Sequence, residues 1–248
     1  MRAIVKLVIP VVVALALSAD ARATLIGPDP AADVDLNTPY LQFSDSPFAS
    51  VDFSAGFFHL ETFETADAVT PITTPGVSAD HGGPVSVTYG PSVHDSVDAD
   101  DGVIDGSGLD GESWFYSSGA AGVTFTFDAL VLGALPTHAG LVWTDGSGAI
   151  TFEAFDQNGI SLGTLTGAHA NGSVNGETAE DRFYGAINAG GISAIRLSNS
   201  SGGIELDHLQ YGNPTPNGPN GNAPEPATVL LVMAGSFILG SIGRRRRL

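Results

Sequence analysis

The pattern that most limits the fold is a series of short period-two runs cut apart by clusters of Gly, Asn, Asp and Ser. Val123-Thr124-Phe125-Thr126-Phe127 sends one valine and two phenylalanines to one face and two threonines to the other. Residues 149–155 repeat this, with Ile150, Phe152 and Ala154 set against Thr151 and Glu153. Asn158-Gly159 is then a turn signal before 160–165, which predicts a hairpin. Residues 57–63, 85–89, 141–143, 192–197 and 203–211 read as further strands. Thirty-two glycines argue against a helical bundle, since each loses more chain entropy in a helix than other residues do. The expectation is an all-β body, a β-sandwich or jelly-roll-like ectodomain over 24–211. No fixed repeat is visible, which disfavours a solenoid or propeller.

Charge is distributed unevenly. Seven of nine basic residues lie near the two ends (Arg2, Lys6, Arg22 and Arg244 to Arg247), so only Arg182 and Arg196 lie within 24–243. Against 26 acids these leave that stretch at −24. Such a charge repels phosphate backbones, so nucleic acid is not expected as a partner. It suits solubility and divalent cations. The chain has no cysteine, which removes disulfides, zinc–thiolate sites and thiol chemistry together. Stability must therefore come from the size of the core.

The two ends carry address signals. Arg2 and Lys6 precede an apolar stretch over 7–17, and Ala21-Arg22-Ala23 forms an A-x-A cleavage site, so 1–23 reads as a signal peptide. Residues 212–223 hold four asparagines, three prolines and three glycines, a linker by composition. Pro224-Glu225-Pro226 follows, then the uncharged 17-residue run 227–243, then Arg244-Arg245-Arg246-Arg247-Leu248. That run is at the short end of the roughly 17–25 residues needed to span a bilayer. The arginines would hold its end on the cytoplasmic side. A single C-terminal transmembrane helix with a cytoplasmic 244–248 is expected.

In their order, these three parts resemble the PEP-CTERM sorting tails of exported bacterial proteins. The resemblance covers about a tenth of the chain, and its sorting residues would be Pro224, Glu225, Pro226 and Arg244, Arg245, Arg246 and Arg247. It implies an exosortase-like membrane enzyme as partner, a transient inner-membrane anchor, and delivery to the surface or medium of a bacterium that makes exopolysaccharide. The segments 178–185, 191–195 and 203–212 are also similar to the closing strands of ectodomains found before such tails, and those bodies look like lectin-like and carbohydrate-binding sandwiches. This second resemblance brings no known activity.

One acidic segment invites calcium. Across 95–112, Asp98, Asp100, Asp101, Asp105, Asp110 and Glu112 set hard oxygen ligands on a Gly-rich loop. An EF-hand template begun at Asp101 matches Asp105, Gly106 and Glu112, but Val103 stands where a ligand is needed and no flanking helices are apparent, so it is not an EF-hand. A different calcium loop and a plain solvated acidic loop both stand as readings. A second set, Glu61 or Glu64 with Asp207, would place carboxylates on first and last strands, as some carbohydrate-binding sandwiches do. No cofactor is required; structural calcium is the ion these residues would take.

Catalytic patterns are poor. G-x-S-x-G, H-E-x-x-H and the P-loop do not occur, and six histidines are scattered without ligand spacing. His208 shares a nominal strand face with Ile204 and Leu206, which reads as a packed or edge histidine. Trp114 and Tyr116 fall on one face, either core or glycan-stacking groove. Trp143, between Val142 and Thr144, reads as core. Three functions follow in order. The first is a noncatalytic exported cell-surface or matrix protein associated with exopolysaccharide. The second is a calcium-dependent carbohydrate-binding module. The third is a secreted hydrolase without recognisable motifs.

Overall fold

The structure, a computed structural model, describes residues 22–67, 69–86 and 94–215. It is predominantly β-sheet, with one four-residue helix, α1 (Ala129–Leu132), and short 3-10 turns among the described residues. The expected sorting residues, the span 227–243 and Ala21 lie outside the described residues; Ala23 is inside and buried beside the first strand. No helix of the described residues is long and apolar enough to cross a membrane.

Two long strands organise everything else. β8 (His138–Asp156) and β11 (Ile192–Asn213) run antiparallel along most of their lengths. Each takes different neighbours at its two ends. The second half of β8 pairs with β9 (Ser161–Gly167), while the first half of β11 pairs with β7 (Val123–Phe127), which carries β4 (Val77–Asp80). The first half of β8 pairs with β10 (Arg182–Ile187), which carries β1 (Thr24–Gly27) and β2 (Val34–Asp35). The second half of β11 pairs with β3 (Phe57–Glu61) and β6 (Glu112–Tyr116), and β6 carries β5 (Gly83–Ser86). All these ladders are antiparallel except β1–β2.

The sequence reading split each long strand in two, because Asp145-Gly146-Ser147-Gly148 and Ser198-Asn199-Ser200-Ser201-Gly202 look like loops. Both strands pass through these segments. Register shifts at Asn199/Ser201 and Ser201/Ile204 absorb the bend, and Gly148 and Gly202 adopt φ of +83° and +74°, which side chains with a Cβ rarely tolerate. The Asn199 side-chain amide donates to the carbonyls of Ser147 (3.2 Å) and Gly203 (2.9 Å), tying the two corners together. At its far end β11 continues through Gly212 and Asn213, paired to Phe58 and Phe57, two residues into the stretch that composition assigned to the linker.

One apolar cluster draws on both groups of ladders. Phe125, Phe152 and Ile195 come from one, and Leu141, Tyr184, Leu206 and Tyr211 from the other. The alternation read from the sequence holds here: Val123, Phe125 and Phe127 are buried, as are Ile150, Phe152 and Ala154. The Asn158-Gly159 turn joins β8 to β9, with Gly159 at φ +75°. A second, smaller cluster lies on the opposite face of β8 and β10. There Val142 and Phe183 meet Ile26, Tyr40, Phe48 and Val97. The first half of β8 is therefore covered on both faces, and this second covering layer carries the acids.

Candidate functional site: a carboxylate-rich face over β8, β10 and β11

The acids gather where the segment 94–98 lies across the outer face of β11. The amide of Asp95 donates to Glu205 Oε2 (2.6 Å), and that of Val97 to Asp207 Oδ2 (2.9 Å). Two side chains of one strand thus fasten alternate amides of the covering loop. Asp98, fully buried in the 3-10 turn Asp98–Asp101, accepts from the amides of Asp105 and Gly106 (2.8 Å each) and from the Thr178 hydroxyl (2.6 Å). The loop is held by its own carboxylate.

A bulge in β11 brings together residues that the sequence reading kept apart. The register shifts between Asp207 and Gln210, and His208 adopts φ +43°, so Asp207 and His208 both face the second cluster. The expectation that His208 shares a face with Ile204 and Leu206 is corrected: those two are in the main core, whereas the imidazole packs edge-on to Tyr40 at 5.4 Å. Its Nε2 lies 3.0 Å from Asp100 Oδ2 and its Nδ1 2.9 Å from the Tyr40 hydroxyl. Gln210 Nε2 donates to that same hydroxyl (2.9 Å), so the Tyr40 proton points to Nδ1 and the ring proton on Nε2 points to Asp100. Asp100, Asp207 and His208 offer metal-ligand atoms all within 4.8 Å of one another. In the tautomer set by Tyr40, His208 donates to Asp100 and has no lone pair free on Nε2.

The two metal sets expected from sequence are therefore redistributed. Asp100 comes from the first and Asp207 from the second. Asp101 and Asp105 accept from amides two residues on, at Val103 and Ser107, and Asp110 is exposed. Glu64 accepts from the amide of Glu112, and burial, with added repulsion from Asp100 and Glu112, pushes its carboxyl up to about 7. Burial also raises the Glu112 carboxyl. Glu61 is taken up inside the chain, accepting from the amides of Phe63, Thr73 and Thr74 and from both threonine hydroxyls. The aromatic expectation changes too. Trp114 is buried against Phe63 and Phe125, its indole donating to the His81 carbonyl (2.8 Å), so no open ring face is left for a sugar. Tyr116 packs at the edge of the same core and stacks on His81 at 4.8 Å.

A pocket of about 270 Å³ opens beside this face, lined by Phe115, Asp145, Ser147, Val174, Gly203 and Glu205. Asp145 and Glu205 are register partners. Burial first and the neighbouring Glu205 charge second push the Asp145 carboxyl up to about 7. Asp95 is pushed up to about 9 by burial, then by Glu205. Asp207 and Asp181 are raised well above the carboxylate range, chiefly by burial. The sequence showed these acids but not their burial, because an acid in an acidic chain reads as solvated.

His169 gives this region a pH response of its own. Its ring meets Trp143 edge-on at 4.9 Å and its Nε2 is 2.8 Å from the Tyr184 hydroxyl. Burial first and the Arg182 charge second hold its pKa down to about 4, with a backbone contact to Glu180 working the other way. The folded state therefore binds fewer protons here than the unfolded chain between about pH 6.5 and 4. The favourable situation is fully present above 6.5 and is lost as pH falls through that window. The contribution lost by pH 4 is about 3 kcal/mol. In urea titrations, His169→Phe should close on wild type by that amount between pH 7 and 4; a pH-independent difference would refute it.

Comparison with protein-family models and with curated proteins finds no match for this chain. Among solved structures, an arabinose-bound GH51 α-L-arabinofuranosidase aligns over 75% of this chain and 32% of its own, at 14% identity and a TM-score of 0.27. The alignment thus spans about a third of that enzyme's chain, and at this TM-score it carries no argument about fold or activity.

Proposed function

We propose that this chain is a noncatalytic exported cell-surface or matrix protein, sorted by residues 224–248 and associated with extracellular polysaccharide through its β body. We read the two groups of ladders as the layers of a β-sandwich. The observation that carries the noncatalytic part is the use made of the buried acids. Glu61, Asp98, Glu205 and Asp207 each accept backbone amides of a crossing loop. These four carboxylates thus fasten loops to strands, a structural use that supports the noncatalytic reading. The address at the two ends supports export, and the pocket under Phe115 supports a sugar contact, since an aromatic ring beside acceptor oxygens suits a pyranose.

Two measurements test the reading. The intact mass of the protein from the envelope and medium of its own bacterium should lack 1–23 and the residues after about 226. A mass that retains 227–248 would replace sorting with permanent anchoring. In native gels cast with that bacterium's extracellular polysaccharide, the protein should be retarded, and Phe115→Ala should weaken retardation about tenfold. Equal mobility with and without polysaccharide would remove the glycan role.

A further inference from the structure

We propose a divalent-cation site, calcium by its ligand chemistry, between Asp181 at the start of β10, Thr144 of β8 and Asp95 of the covering loop. It goes beyond the surface role and does not depend on it. Arg182 pairs with Trp143, so the preceding residue, Asp181, stands beside Thr144 on the outer face of the sheet. Asp95 reaches the same face from above, its amide held by Glu205. Among the described residues, four oxygens of these three side chains have no hydrogen-bond partner: both carboxylate oxygens of Asp181, Oδ1 of Asp95 and the Thr144 hydroxyl. The residues that carry them are 0%, 2% and 0% exposed. Asp95 is also the strongest charge acting on Asp181, with Asp207 and Glu180 next.

Buried polar atoms are almost always bonded, and a buried carboxylate without a partner is costly. Among the described residues, no cation is hydrogen-bonded to these carboxylates, although the Arg182 charge acts on Asp181. Arg182 is adjacent, but its guanidinium donates to the carbonyls of Ala179 and Asp181 and to Asn37, not to a carboxylate. Carboxylate and hydroxyl oxygens without nitrogen or sulfur are hard ligands, which select calcium or magnesium. Calcium accepts irregular, largely dehydrated oxygen cages, whereas magnesium retains most of its waters. An oxygen-only donor set buried from solvent therefore suits calcium better than magnesium.

The test uses the full-length chain in detergent, treated with EGTA and then melted with and without calcium chloride. Binding to the folded state alone should raise Tm by roughly 5–10 °C at a calcium concentration a hundredfold above Kd. Asp181→Asn, which removes one charge at constant shape, should abolish the rise and melt no lower than the calcium-free wild type. Thr144→Val should weaken calcium binding about tenfold in calorimetric titration while folding normally. Asp100→Asn, at the neighbouring histidine cluster, should leave the rise intact. The proposal is overturned if wild type shows no rise and elemental analysis finds no calcium. It is overturned equally if Asp181→Asn keeps the rise or if Asp100→Asn removes it.

Discussion

Glu61→Gln is expected to destabilise the protein by about 3–5 kcal/mol, with or without calcium. The Glu61 side chain is 2% exposed and accepts from the amides of Phe63 (3.1 Å), Thr73 (2.6 Å) and Thr74 (2.8 Å) and from two threonine hydroxyls. Hydrogen bonds to a charged acceptor contribute about 1.5–3 kcal/mol each, and they are not additive when they share one group. Glutamine keeps one acceptor oxygen but turns an amide NH₂ toward donors that have nothing else to meet. The segment 73–74 would lose its attachment to β3, and Phe63, at φ +62°, would lose a bond that holds its turn. Urea denaturation in EGTA and in calcium measures both parts. A loss that appears only in calcium would make Glu61 a ligand; a loss below about 1 kcal/mol would mean the bonds re-form with water.

Trp143→Ala should cost a similar amount, about 3–5 kcal/mol, and lower Tm by roughly 10–15 °C. The indole is fully buried in the cluster that draws on both groups of ladders, with His169 edge-on to it. The strands on either side are fixed by their ladders, so the space it would leave closes only in part. Trp143→Phe should be far milder, under about 1.5 kcal/mol, since it keeps most of the volume and removes an indole N–H that has no partner in the core. Differential scanning calorimetry of both variants checks the pair. Equal losses would mean that the N–H, not the ring volume, sets the energetics.

What could be read from the chain was what depends on near neighbours. The alternation of Val123, Phe125 and Phe127 specified a strand and its buried face without knowledge of its partners, and β7 occupies those residues. Asn158-Gly159 specified the β8–β9 turn because only certain residues adopt its backbone. The bends of β8 and β11 were hidden for the same reason: Gly and Ser runs lower strand propensity locally, and the ladder that overrides this is made by residues about fifty positions away. The side chain of His208 was assigned to the wrong face because a one-residue bulge reverses the alternation beyond it.

The candidate site shows the same division more sharply. The sequence by itself determined the supply of groups: 26 acids against two arginines in 24–243, no cysteine, and a β-forming pattern. Composition is local and additive, so it is visible without a fold. Which acids are buried, which hold amides and which remain unpartnered was decided by the tertiary structure alone. Asp95 and Asp181 are separated by more than eighty residues, and only the crossing of 94–98 over β11 and the start of β10 brings both to one face. The physical reason is desolvation. The energy of a carboxylate is set by whether water, a donor or another charge surrounds it, and that surrounding exists only once distant segments have packed.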